Sequence, residues 1–290
     1  MRKNNSKISK RRRVFPFILL LLAIMVVLLL LDSYYRIEVT EYELSYPNLP
    51  DSFDGFRITV LSDIHAAEFG KDNARLVAEV ADSKPDIIVI AGDFTDQHFA
   101  LPVDEQLVIA EKLVSELLPI APLYYITGNH EWDEGGIWRL LEMLQERGVT
   151  ILRNKYVSLE SGGDHIILAG VDDPNGPADM IKPEEFVNRI YEAEGECFVV
   201  MLSHRNNNLP LYSRLGVDLI LSGHAHGGII RIPFTDGLIG PAREWLPSYT
   251  NGLYSMGGTN MVVSRGVGNH TGWPRFLNNP HIPIIILRKG

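Results

Sequence analysis

The sequence predicts an α/β domain built on two packed β-sheets, preceded by one membrane-spanning helix. Three observations carry that prediction. Short apolar runs alternate with amphipathic segments from residue 56 to residue 147. The pattern turns β- and loop-rich after Thr150, and an uncharged stretch follows a basic N-terminus. Strands alternating with helices of this length indicate βαβ units and a mostly parallel sheet.

Residues 1–13 form a basic tail with seven of the chain's 27 Lys and Arg residues and no acid. They lead into Val14–Leu31, an uncharged stretch interrupted only by Pro16. As a helix it spans roughly 27 Å, enough for the hydrocarbon core of a bilayer. Tyr34 and Tyr35 stand where an interfacial aromatic pair belongs. The positive-inside rule then puts the N-terminus in the cytoplasm and the domain outside, as a single-pass protein of the plasma membrane. A cleaved signal peptide would need a shorter apolar core and a small-x-small site. Instead Leu28–Leu31 runs into Asp32-Ser33-Tyr34-Tyr35. Arg12-Arg13-Val14-Phe15 loosely matches a twin-arginine export signal, so the export route stays open.

Arg36–Tyr46 alternates and is rich in β-formers, which predicts a strand just beyond the helix. A turn-rich link, Pro47–Asp54, follows. Strands are then predicted at Phe56–Leu61, Asp86–Ala91 and Pro122–Thr127, with helices at Asp72–Ser83, Asp104–Leu118 and Ile137–Arg147. Thr150–Leu159 and His165–Val171 form a hairpin across Ser161-Gly162-Gly163-Asp164. A helix near Pro183–Glu194 precedes strands at Phe198–Leu202, Asp218–Leu221, Gly227–Ile232, Met261–Ser264 and Ile282–Leu287. With no repeat and no linker-like segment, residues 36–290 read as one domain.

Composition excludes several functions. The single Cys197 rules out an intramolecular disulfide framework and a Cys-based zinc site, and reads as a small buried filler. Beyond Arg13, 20 basic residues face 36 acidic ones, a balance of −16. A nucleic-acid polymer needs a basic footprint, so it is excluded as a partner. No protein partner is predicted.

Five clusters carry the chemistry: Asp63-Ile64-His65, Gly92-Asp93, Gly128-Asn129-His130-Glu131, Ser203-His204 and Gly223-His224-Ala225-His226. Each follows a predicted strand. Ligands in open α/β sheets bind beyond the carboxyl ends of strands, so Asp63, Asp93 and Asn129 should converge on one rim, joined by His204 and the His224/His226 pair. On an extended segment Asp63 and His65 point the same way and can reach one ion. His224 and His226 can divide between two, by the same geometry or by a turn. Carboxylate, imidazole and amide donors together suit Mn, Fe, Zn or Co better than Mg or Ca. Two such ions side by side are an arrangement that hydrolyses phosphate esters.

These clusters, in this order, resemble the calcineurin-like metallophosphoesterase superfamily, and flanking segments such as Ser264-Arg265-Gly266-Val267-Gly268-Asn269 look like its membrane-anchored or exported bacterial branch. The resemblance implies a four-layer αββα sandwich. It also implies one metal held by Asp63, His65, Asp93 and His226, and a second held by Asp93, Asn129, His204 and His224. A hydroxide bridging the two would attack phosphorus, with His130 stabilising charge or protonating the leaving alkoxide. The implied substrate is a phosphate ester, with a diester favoured and a phospholipid, glycolipid or cell-wall phosphate suggested by location. The alternative is a catalytically silent scaffold of the same fold. Asp96 stands where the family's purple-acid branch has a metal-ligating Tyr, so a redox iron site is not supported. Ile229 and His270 depart from related members and bear on the substrate rim.

Some residues invite plainer readings. His98, His165 and His281 have no partner motif and read as surface or turn residues, while His270 either lines the site or caps it. Asp96 and Glu131 are better read as supports for ligands than as ligands. The apolar side chains of Ile230–Tyr254, Trp245 and Leu246 among them, either meet lipid or fill the core beneath a long loop, the second being the simpler reading. Trp273-Pro274-x-Phe276 poses the same choice.

Overall fold

The uncharged stretch folds as the middle of one helix, α1 (Asn5–Tyr35), whose Phe15–Tyr35 portion is long and apolar enough to cross a membrane. In the computed structural model residues 5–290 are described, apart from 97–100, 134–135, 178–179, 233–234, 242 and 270–273. The apolar side chains of α1 from Phe15 onward are exposed, apart from the half-buried Leu29 and Leu30. Its last turn is tied down by polar contacts. The Arg36 guanidinium pairs with Asp32 at 2.7 Å, Asn279 donates to the Asp32 carbonyl at 2.7 Å, and Arg75 donates to the Tyr35 carbonyl at 2.7 Å.

The domain contains two six-stranded sheets. The first holds β1 (Glu38–Tyr46), β2 (Arg57–Leu61), β3 (Ile87–Ala91), β4 (Leu123–Ile126), β5 (Thr150–Ile151) and β12 (His281–Lys289), in the order β1-β12-β2-β3-β4-β5. The second holds β6 (Lys155–Ser161), β7 (Asp164–Gly170), β8 (Val199–Leu202), β9 (Leu219–Ser222), β10 (Gly252–Met256) and β11 (Thr259–Val263), in the order β10-β11-β9-β8-β7-β6. Both are mixed. β2, β3, β4 and β5 run parallel, as do β7, β8, β9 and β11, while β12–β2, β6–β7 and β10–β11 are antiparallel.

Three apolar layers hold the sandwich together. Ile58, Val60, Val89, Val200, Leu202 and Leu221 pack between the sheets. Ile88, Ile90 and Tyr125 meet α2 (Ala74–Asp82), α3 (Val103–Leu117) and α5 (Ile137–Glu146) through Leu76, Leu113 and Leu140. Val199, Met201 and Ile220 meet α6 (Pro183–Glu194) and α7 (Leu209–Arg214) through Phe186, Ile190 and Tyr212. All five residues of β3 are buried, as an unbroken apolar run between two covered faces requires. The result is the four-layer helix–sheet–sheet–helix arrangement that the resemblance implies.

The structure corrects several expectations. Gly227–Ile232 is not a strand. A 3₁₀ turn at His226–Gly228, with Gly227 and Gly228 both at positive φ, bends the chain, and only Ile230 bridges to Phe276. The short α4 (Asn129–Asp133), α7 and strand β10 lack a long enough period to stand out in the sequence. His281 is no surface residue: it opens β12 with 0% exposure, while His165 is exposed as predicted. Cys197 is half-buried against the α6 side, where burial pushes its thiol up to about 11. His98 and His270 lie outside the described residues, as do Phe234 and Trp273.

Candidate dinuclear metal centre

Strand register builds the site. Leu61 pairs with Ile90 and Ala91 with Ile126 in the first sheet, and Leu202 pairs with Leu221 in the second. The carboxyl ends of β2, β3, β4, β8 and β9 are therefore level. Asp63, Asp93, Asn129, His204 and His224 each follow one of those ends within three residues.

Beyond the strands the backbone turns sharply. Asp63, His65, Asp93, His224 and His226 all have left-handed φ, between 47° and 67°. Non-glycine residues adopt this conformation at a cost of about 1–3 kcal/mol each and do so mainly at functional sites. Asp63 and His65 thus reach one point through two left-handed residues, not by alternation along an extended segment. Gly92 and Gly128 make the close approach possible. A Cβ on Gly92 would lie 2.6 Å from His204 Nδ1 and 2.7 Å from the Gly128 Cα, and one on Gly128 would strike the Asp93 carboxylate.

All eight predicted site residues converge. Asp63, His65, Asp93 and His226 bring ligand atoms within 4.8 Å of one another, and all four are buried. His65 Nε2 stands 3.1 Å from His226 Nε2, and His226 Nε2 lies 3.4 Å from Asp63 Oδ1. Asp93, His204 and His224 form a neighbouring group of the same compactness. There His204 Nε2 lies 3.1 Å from Asp93 Oδ2 and 3.2 Å from Asn129 Oδ1. Asp93 belongs to both groups, and the turn at Ala225 sends His224 to one and His226 to the other. This mixture of buried carboxylates, imidazoles and one amide oxygen fits a pair of divalent transition ions.

A surrounding set of hydrogen bonds fixes these groups. His204 Nδ1 faces the Ala91 carbonyl at 2.8 Å, which leaves Nε2 directed at Asp93 and Asn129. The His224 amide donates to both Asp63 oxygens, at 3.0 and 3.1 Å. The Glu131 carboxylate accepts from the amides of Asp93, Phe94, Thr95 and Gly128, clamping two ligand loops together. Asp96 Oδ1 lies 3.1 Å from His130 Nδ1, and Asp96 Oδ2 lies 3.8 Å from His65 Nδ1. Asp96, His65 and His130 also form a third compact group of donor atoms.

The electrostatics follow from burial and neighbouring charge. Burial lifts Asp63 to about 6 despite the charge of His204, and lifts Glu131 to about 7 with help from Asp93. Asp93 is held well below the usual range because His204, His65 and His130 outweigh its burial. Burial pulls His130 down, but the hydrogen bond to Asp96 and the charge of Asp93 raise it to about 9.

Arg205 was not singled out in the sequence, although it directly follows His204. Its Nη1 lies 2.9 Å from His224 Nε2, and its other edge grips Asp173 at 2.6 and 3.0 Å. Nearby, a cavity of about 1260 Å³ runs along Asp172, Arg153 and Trp138. The guanidinium of Arg153 stacks there on Trp132 and Trp138, 4.8 and 5.2 Å from the ring centres. The loop after His226 behaves differently from the core-filling expectation: Ile239 is buried, but Trp245 and Leu246 are 75% and 67% exposed. Phe276 is half-buried.

The calcineurin-like phosphoesterase family pattern matches residues 56–228, more than half of the chain. The uncharacterized metallophosphoesterase YkuE of Bacillus subtilis strain 168 is 30% identical over 259 residues, covering 88% of this chain and 87% of that protein. A transmembrane protein with metallophosphoesterase domain from Danio rerio is 28% identical, covering 87% of this chain and 58% of that one. The phosphodiesterase YaeI of Escherichia coli K12 is 26% identical, covering 80% and 82%.

Proposed function

The chain belongs to the calcineurin-like phosphoesterase family and is a metal-dependent phosphoric ester hydrolase; from that premise we propose a membrane-anchored phosphodiesterase whose catalytic domain, residues 36–290, lies outside the cytoplasm. The observation that carries the reading is the pair of donor groups sharing Asp93. Asp63, His65, Asp93 and His226 would hold one divalent ion, and Asp93, Asn129, His204 and His224 the other, with Mn, Zn, Fe or Co as candidates. When bound, two such ions supply Lewis acidity for water activation and neutralise phosphoryl charge. His130 is the general acid. The hydrogen bond to Asp96 favours its protonated form, and its Nε2 lies 3.9 Å from Asp93 Oδ2. From there it delivers a proton to the leaving alkoxide as the P–O bond breaks.

The exposed span α1 and the resemblance to a transmembrane relative support the anchor. The relative named a phosphodiesterase supports the diester preference. A lipid-linked or cell-wall phosphate suits an enzyme tethered at that surface, and the exposed Trp245 and Leu246 suit contact with it.

Full-length protein in detergent, stripped of metal and reconstituted with Mn, Zn, Fe or Mg, tests the reading. Bis-p-nitrophenyl phosphate should turn over faster than p-nitrophenyl phosphate, and only with metal. Failure to bind two ions per chain would remove the assignment. A reporter fused after Gly290 and active only in the cytoplasm would reverse the orientation.

A further inference from the structure

We propose that Arg205 is a substrate-binding residue that grips a non-bridging oxygen of the phosphoryl group beside the second ion; this rests on the ligand roles given above to His204 and His224. The guanidinium has two faces with different tasks. Its Nε and Nη2 form a fork with Asp173, at 2.6 and 3.0 Å, and Nη2 lies 3.4 Å from Asn175 Oδ1. The Asp173 side chain is fully buried and that of Arg205 is only 25% exposed, so this pairing fixes the direction of the remaining nitrogen. That nitrogen, Nη1, faces His224 Nε2 at 2.9 Å. Arginine is always a donor, so His224 Nε2 accepts here with its lone pair.

That Nε2 is one of the two ring nitrogens through which His224 could join Asp93 and His204 in holding an ion. An ion held there would take the place of the hydrogen bond from Arg205. Nη1 would then be freed from the imidazole while the Asp173 fork keeps it at the rim of the second group. A planar guanidinium held in this way is suited to a phosphoryl oxygen, whose geometry and charge it matches.

Asp173 is itself braced from the site. Its amide lies 3.4 Å from Thr127 Oγ1, two residues before Asn129, and its Oδ1 accepts the Asn175 amide at 2.9 Å. The neighbouring Asp172 takes the Thr127 hydroxyl at 2.9 Å and marks the edge of the Arg153–Trp138 cavity. Arg205 thus links the second donor group to Asp173, whose chain neighbour Asp172 lines that cavity.

The test uses full-length protein in detergent with Mn bound, and inorganic phosphate as the probe. Metal analysis counts ions per chain, and calorimetry gives the phosphate dissociation constant for wild type, Arg205→Met and Arg205→Lys. The proposal expects two ions in all three proteins, phosphate binding at least tenfold weaker in Arg205→Met, and partial recovery in Arg205→Lys. Equal phosphate affinity in Arg205→Met with both ions in place would overturn it. So would loss of an ion from both variants, since the guanidinium would then act through His224. A wild-type protein that takes up fewer than two ions would overturn the ligand assignment first, and this proposal with it.

Discussion

Two buried polar clusters meet across the loop after β2, and they balance their charges in opposite ways. The first gathers Asp63, Asp93, Asp96 and Glu131 around imidazoles. The second gathers the cations Arg265 and Arg275 beside His281, and closes them on backbone carbonyls, side-chain amides and the single carboxylate of Glu38. Arg275 donates to the carbonyls of Arg265, Gly266, Gly268 and Asn278 at 2.5–3.4 Å. Arg265 reaches the Asn279 carbonyl, the Asn251 side chain and Glu38. They touch where the Gly268 amide donates to the Asp63 carbonyl at 2.7 Å and Asn278 donates to the His226 carbonyl at 2.7 Å. Buried charge is costly unless it is paired or hydrogen-bonded. The arginine cluster meets that condition with the chain's own atoms. The acidic cluster concentrates anions whose full compensation calls for cations. The contrast separates a brace from a reaction centre.

Substitutions can break that contrast, and the largest effect should come at the residue common to both metal groups. Asp93→Asn should lower phosphodiester turnover by at least about a thousandfold and cost bound metal. Its melting temperature should fall even without metal, because the histidines that hold the Asp93 carboxylate ionised lose their counter-charge. Wild-type turnover in this variant would show that the shared carboxylate is dispensable. Next, His130→Asn should reduce kcat by about a hundred- to a thousandfold on an alkyl diester, with both ions retained. The loss should be smaller on p-nitrophenyl esters, whose leaving group needs no proton. An equal loss on both substrates would assign His130 to charge stabilisation.

On the brace, Arg275→Met strands several buried carbonyls and should destabilise the fold by about 3 kcal/mol in urea titrations. The protein that remains folded should keep its metal stoichiometry. Losing metal without losing stability would mean the two clusters share one task.

The smallest effect is a pH dependence at His281. Burial, then the charges of Arg265, Arg275 and Arg231, hold its imidazole well below the usual range. The unfolded chain takes up a proton there below pH about 6.5, and the native state does not. Stability contributed by this residue is therefore complete above that pH and falls on acidification, by up to about 1.4 kcal/mol per pH unit. His281→Gln should remove close to one proton's worth of slope below about pH 5.5, measured by urea unfolding. An unchanged slope would mean that His281 is protonated in the fold.

How much of this was legible in the sequence depended on the range of the interaction. Unbroken apolar runs mark β3, β4 and β8, and largely apolar ones β2 and β9, because strands covered on both faces are mostly apolar. The donors stand just past those runs, so their convergence could be anticipated. The left-handed backbone at five of them could not. Asp and His tolerate that conformation better than most residues but do not require it, so nothing in the sequence announces it. Asp96 and Glu131 stood out because they neighbour the donors in sequence. Arg205 with Asp173, and Arg275 with Gly266 and Gly268, did not, because fold closure alone gives them their partners. His281 looked ordinary for the same reason. Nothing near it in the chain announces the cations that surround it in space. Trp245 misled in the other direction, since an apolar residue on a loop suggests a covered position and this one is bare.

The pairing of β1 with β12 bears on how the chain is made. These strands run parallel through nine matched positions, from Glu38 beside His281 to Tyr46 beside Lys289. The segment that emerges just after α1 thus waits for a partner synthesised about 240 residues later. At roughly 5–20 residues per second, that delay is on the order of 12–50 seconds. During it β1 presents an open edge, since β12 also separates it from β2. The first sheet is completed only when β12 slots between strands already made, so a ribosome that stalls late should leave an assembled rim of ligands on an unsealed and aggregation-prone sheet.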